Sequence, residues 1–208
     1  MKTEDLIRAM AADTVLPSAP LGRVLWLPLA LGLSFLGLWA TLGVRDELGT
    51  VLQDPLSLMR IVLSASLGCM ALAAVLRLAR PGAVVWLSPL AGVALVAAGL
   101  WIWSYGQIPE GGQRMAIVGK TMVGCLTTIP LLSVLPVAAV LSVLQRGAPT
   151  RPMVAGAVAG LAGGGFAAAI YALHCTEDSP LFYVTWYGLA ILAVSAVSAL
   201  IAPRLLRW

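Results

Sequence analysis

The chain has 208 residues, 60% of them hydrophobic and only 11% charged, with a formal net charge of +4. A soluble domain could not cover that much apolar surface, whereas a bilayer requires it. The basic residues are scattered rather than striped with aromatics, which excludes a direct nucleic-acid footprint, and three cysteines without a CxxC pair exclude a zinc finger or a disulfide-stapled secreted domain.

Crossing a hydrocarbon core of about 30 Å takes roughly 20 apolar residues in a helix. A polar segment, residues 1–23, comes first. In it Thr3 can cap a short helix with Glu4 and Asp5 in the first turn, where negative charge is favourable. Leu6, Ile7 and Met10 share one face, as in a segment that docks into a partner's groove or leads the first span into the membrane. Apolar runs follow at 24–42, 57–76, 83–103, 119–144, 153–173 and 181–202. The first is a full-length span preceded by Glu4, Asp5 and Asp13, unlike a signal peptide. Continuous runs of this length satisfy their own backbone as helices, and the period-2 alternation of a barrel is absent. The expected fold is all-α and polytopic, with six transmembrane helices in residues 24–208 behind the segment 1–23. The two three-helix halves do not match in sequence, which argues against an inverted-repeat transporter.

Orientation follows from the loops. With the N-terminus inside, the cytoplasmic segments hold Lys2, Arg8, Arg23, Arg77, Arg80, Arg146, Arg151, Arg204 and Arg207, against Arg45, Arg60, Arg114 and Lys120 outside. This positive-inside bias predicts both termini in the cytoplasm.

Three features could carry function. In the fifth span Gly156, Gly160 and Gly164 recur every four residues, making one flank smooth enough for another backbone to approach. Packing within the chain, a homodimer interface and a sliding surface would all use it. The fourth span carries Pro130 and Pro136, flanked by Thr127, Thr128 and Ser133, so a bend is expected near residues 126–132, with the hydroxyls meeting freed carbonyls. Finally, Cys125, about 8 Å inside the outer end of the fourth span, and Cys175, beyond the fifth, fall at the same membrane face beside His174, the only histidine. Sulfur and imidazole suit zinc, cadmium or copper(I), two close thiols can form a disulfide, and cysteine is also a common packing residue. Arg114 and Lys120 would favour the Cys125 thiolate, while Glu177 and Asp178 would oppose that of Cys175. Cys69, near the middle of the second span, reads as a small buried hydrophobe.

No catalytic constellation emerges: a single histidine, no glycine-rich phosphate loop and no intramembrane carboxylate pair leave no reason to expect an enzyme. A small transporter or permease subunit would need polar groups at mid-membrane, which are nearly absent. A purely structural membrane protein would use the cysteines for packing alone, and a thiol oxidoreductase would need the CxxC that this chain lacks.

Several pieces in order resemble the NrsF-type family of membrane anti-sigma factors. They are the opening 1–13 with Asp5-Leu6-Ile7, Arg114 and Lys120 before Cys125-Leu126, Ile129-Pro130, and Arg146-Gly147-Ala148-Pro149 with Pro152 and the glycine-rich span. Ala172-Leu173-His174-Cys175-Thr176-Glu177-Asp178-Ser179-Pro180 leading into Trp186-Tyr187 completes the likeness. The resemblance implies a six-helix inner-membrane protein that holds an extracytoplasmic-function (ECF) sigma factor at the cytoplasmic face, and residues 1–23 are the expected sigma-binding segment. It also implies sensing of heavy metals or oxidants through two cysteines, which match Cys125 and Cys175 here, with no constitutive cofactor and zinc or cadmium as a transient ligand.

Overall fold

The computed structural model describes residues 3–5, 7, 26–51, 53–80, 82, 88–147 and 149–206. All regular structure among them is helical. After the helical residues Thr3, Glu4, Asp5 and Ile7 come α1 (Trp26–Thr41), α2 (Leu48–Val51), α3 (Pro55–Leu78), α4 (Ser88–Gln107), α5 (Gln113–Val118), α6 (Met122–Leu144), α7 (Pro152–Tyr171) and α8 (Pro180–Leu205). Leu6 and Met10, two of the expected partner-binding residues, lie outside the described residues, and Ile7 is exposed.

The starts of these helices are written locally. Proline opens α3, α7 and α8, where its missing N–H would be unpaired in any case. Asp54 caps α3 by accepting a 2.9 Å hydrogen bond from the Ser57 amide. Gly119, at φ +59°, separates α5 from α6, a left-handed turn that disfavours other residues.

Among the described residues five helical stretches are long and apolar enough to cross a membrane: α3, α4, α5 with α6, α7 and α8. The first predicted span corresponds to α1, an apolar helix of 16 residues, shorter than the roughly 20 of a perpendicular crossing.

Helix α7 is the hub, packing against α3, α6 and α8. Its small residues explain this. A Cβ on Gly160 would lie 2.5 Å from the Ser195 Cα of α8, and one on Gly156 would be 2.7 Å from the Ser198 carbonyl oxygen. Gly164 faces Ile191 of α8, Gly163 faces Val137 of α6, and Gly165 faces Gly68 and Ser64 of α3. The glycine flank therefore lies inside this chain, against three helices at once. Helix α4 is peripheral: it packs chiefly on α3 and α8, and Ser104 is its one buried residue.

Helix α6 runs unbroken through Pro130 and Pro136. Proline at 136 has no N–H for the carbonyl of Leu132. Compensation was expected from hydroxyls of the same helix, but Ser133 bonds the Pro130 carbonyl and Thr127 those of Val123 and Gly124. The Leu132 carbonyl is instead met by Ser34 of α1, at 2.9 Å.

Two expectations are corrected. Cys69 is exposed, because the buried face of α3 runs through Ser57, Arg60, Ser64, Gly68 and Ala71 and Cys69 sits one position off it. Cys125 lies in the first turn of α6, since that helix begins at Met122, so it is only about 4.5 Å into the helix.

The bundle has two chemically different ends. One gathers the 43–47 loop, Asp54, α5 and the 172–179 loop, with all the described acids beyond the N-terminal segment. The other carries Arg77, Arg80, Arg146, Arg151 and Arg204. There the two loops approach so closely that a side chain at Gly147 would strike the Ala79 backbone.

Candidate functional site: a buried thiol pair under an arginine-held loop

The site is built on the loop 172–179. Its backbone turns out of α7 through bonds from His174 and Cys175 amides to the Tyr171 carbonyl. Three segments hold it from outside. The Arg45 amide donates to the Leu173 carbonyl at 3.1 Å, and its guanidinium clasps the Asp178 carboxylate at 2.9–3.1 Å. Arg60 donates to the Glu177 carbonyl at 2.9 Å and reaches Asp178 Oδ1 at 3.0 Å. The Lys120 amide donates to Glu177 Oε1 at 2.8 Å, and Nδ1 of His174 lies 3.1 Å from the Gly43 carbonyl oxygen.

Arg60 is the residue that sequence reasoning passed over. Counted there as an outer-side charge, it sits in the second turn of α3 with 1% of its surface exposed. A charge that deep is costly unless paired, and Asp178 and the Glu177 carbonyl supply the pairing. Its Nε–H is buried with no hydrogen-bond partner among the described residues. The available signal was position: a lone arginine inside an otherwise apolar span marks a functional candidate by default.

Cys175 of this loop and Cys125 of α6 are buried, 2% and 0% exposed, and both are free thiols. Their side chains interact directly with each other. Leu38, Ile129, Ala168, Tyr171, Phe182, Tyr183 and Tyr187 enclose them in one apolar cluster. Tyr171 and Tyr187 belong to the same cluster, the Tyr187 hydroxyl buried with no hydrogen-bond partner among the described residues. The Cys175 thiol is held below the usual thiol range, first by the hydrogen bond from Cys125, then by the Glu177 amide and the positive charge of Arg60, against the opposing effect of burial. Arg45, bonded to Asp178, is pushed above its ordinary value.

The predicted electrostatics thus change hands. Asp178 and Glu177 are taken up by Arg45, Arg60 and the Lys120 amide rather than opposing the Cys175 thiolate, and the positive charge of Arg60 favours that thiolate. Among the described residues no three of His, Cys, Asp or Glu are grouped to hold a metal ion, so His174 does not complete a three-ligand set with the thiols. The pair alone can do two things chemically: bind a soft cation between two sulfurs, or lose two electrons and two protons to an oxidant.

Comparison with known proteins supplies the affiliation. The family model described as negative regulator of sigma F, NrsF, matches residues 10–208. The probable anti-sigma-F factor NrsF of Azospira oryzae is 37% identical over 215 residues, and the anti-sigma-F factor NrsF of Caulobacter vibrioides 32% over 222, each alignment covering 100% of both chains. No solved structure matches the chain. With a family match over nearly the whole chain and relatives aligned along their full length, this protein, a regulator and not an enzyme, belongs to the NrsF family.

Proposed function

We propose that the protein is a six-span, inner-membrane anti-sigma factor that sequesters an ECF sigma factor at the cytoplasmic face and releases it when Cys125 and Cys175 react with a soft metal or an oxidant. Its relatives are named anti-sigma-F factors. The carrying observation is the buried contact of two thiols drawn from different elements, the first turn of α6 and the loop after α7. They sit at the end of the bundle opposite Arg77, Arg80, Arg146, Arg151 and Arg204. By the positive-inside rule the arginine end faces the cytoplasm, which puts the thiols on the periplasmic side and both termini inside.

In this reading, residues 1–23 form the sigma-binding segment, with Leu6, Ile7 and Met10 as its apolar face, assisted by the arginine-rich loops. A divalent soft cation such as cadmium or zinc displaces both thiol protons and joins the sulfurs, while an oxidant accepts two electrons as a disulfide forms and two protons leave. Either event ties α6 to the loop after α7. Because α7 packs on α3, α6 and α8 through close glycine contacts, a small change there is transmitted as repacking rather than absorbed.

The test is co-purification of the sigma factor with the detergent-solubilised protein, followed by cadmium or oxidant. Wild type should release its partner, and the double variant Cys125→Ser/Cys175→Ser should retain it. Undiminished release from the double variant removes the sensing role. Absence of a bound sigma factor removes the sequestering role, and retention after deletion of residues 1–13 removes the tail as the binding element.

A further inference from the structure

Cys125 and Cys175 have 0% and 2% of their surface exposed, so no reagent touches either sulfur until a neighbouring element moves. Three of the elements around them, α6, α7 and α8, are locked together by the close glycine contacts of α7, and parting them would open the core of the bundle. The rest of the enclosure includes irregular backbone: the loop 172–179 that carries Cys175, and residues 42–47 between α1 and α2, which are bonded to it.

The loop is held differently on its two sides. Towards α5 and α6, Gly119 is packed so closely on Phe182 that a Cβ there would overlap the ring, and Glu177 is bonded to the Lys120 amide. Towards residues 42–47 the ties are polar: the Arg45 amide to the Leu173 carbonyl, the His174 ring to the Gly43 carbonyl, and the Arg45 guanidinium to Asp178. They fall at 173, 174 and 178, on both sides of Cys175. Gly43 has φ +76° and nothing within 4 Å of where a Cβ would stand, so the chain can swing there without meeting a neighbour. The carboxylate of Asp178 is 39% exposed, which makes its pair with Arg45 one that water can replace. Arg60, 1% exposed, keeps Asp178 and the Glu177 carbonyl when Arg45 leaves, so a swing at Gly43 strands no buried charge.

We propose that residues 42–47 form a strap, latched by Arg45 on Asp178 and turning at Gly43, that keeps the thiol pair closed, and that Cys175 reacts only while the strap is open. The strap sets how fast a metal or an oxidant reaches the sulfurs, through a local opening that leaves the helices packed. This deepens the thiol-sensing reading and rests on it for its purpose. Thiol access is measured without a sigma factor, so the strap and the sensing role can fail separately.

The test is the rate at which methyl methanethiosulfonate, a small neutral reagent, modifies Cys175 in the full chain in detergent. The chain carries Cys69→Ser, and mass spectrometry locates the label. Arg45→Gln breaks the latch and should speed modification about tenfold, the lower end for a charge-assisted hydrogen bond. Arg45→Lys should fall between the two. With the latch intact the rate should rise from about 50 mM to about 500 mM salt, because the exposed end of the pair is screened, and Arg45→Gln should lose that rise. Gly160→Val, which strains the α7–α8 contact far from the strap, should label at the unlatched protein's parent rate, since a local opening is insensitive to global stability. Parent-rate labelling of Arg45→Gln overturns the proposal, as does an equal acceleration by Gly160→Val, which would mean that unfolding exposes the thiol. A salt-independent rate in the parent chain also overturns it, and that measurement stands if the variants do not fold. Sigma release by cadmium that persists in the double cysteine variant would remove the sensing role and leave the strap in place.

Discussion

Replacing Asp178 by Asn probes the electrostatic clasp over the thiols. The substitution keeps the shape and one acceptor but removes the charge that Arg45 and Arg60 share. Leaving one member of a buried pair uncompensated costs about 3–5 kcal/mol when both groups are fully buried. Here Arg60 is 1% exposed but Asp178 is 39% exposed, and Arg60 keeps its bond to the Glu177 carbonyl, so about 2 kcal/mol is the reasoned loss. For a chain of this size that corresponds to a fall in Tm of roughly 4–8 °C, read by thermal unfolding in detergent. Glu47→Gln serves as the control: its pair spans 3.7 Å with a carboxylate 74% exposed, and it should shift Tm by no more than about 2 °C. Adding Arg60→Gln to Asp178→Asn should recover part of the loss, because the uncompensated buried charge is then gone. Equal Tm for wild type and Asp178→Asn, or an equal effect from Glu47→Gln, would refute the claim that this ion cluster holds the loop.

Ser34→Ala removes the hydrogen bond that the Leu132 carbonyl accepts from α1, and should cost about 1–3 kcal/mol in the same unfolding measurement, while Thr127→Ala, whose hydroxyl bonds its own exposed turn, should cost less. Gly160→Val drives a side chain into the Ser195 backbone and should destabilise by about 1–3 kcal/mol, whereas Gly99→Ala on α4, with open space around it, should be neutral or slightly stabilising. In a Cys69→Ser background, the pH dependence of Cys175 modification by a small methanethiosulfonate should show the thiolate persisting below about pH 8.5, where an ordinary thiol protonates. The lowered value means the charged form is favoured in the native protein, so reactivity is lost only as pH falls through that lower value. Cys125→Ala removes the largest cause and should move the profile upward, and an unmoved profile would contradict the proposed contact.

Much of this protein was legible without coordinates. Runs of apolar residues too long for a soluble core dictate helices, because only a helix satisfies its own backbone in lipid. The membership in the NrsF family, the small-residue flank of α7 and the placement of Cys125 and Cys175 at one end of the bundle followed from residue order alone. What periodicity could not supply was which residues meet across elements. Its position in an apolar run marks Arg60 as a candidate, but its partners appear only when α3 turns it onto the loop 172–179, 117 residues away. Nor does a serine in α1 announce itself as the partner of a carbonyl freed by Pro136 in α6. Cys69 and Cys125 are chemically the same residue, and only the rotation of α3 and α6 about their axes sends one outward and the other into contact with Cys175. Composition and spacing determine that helices form and how much chain is apolar enough to cross a membrane, since those depend on each segment's own backbone and solvent. Burial of a charge, pairing of two thiols and the bonding of Arg45 to the loop 172–179 depend on the relative placement of distant segments, which tertiary packing alone decides.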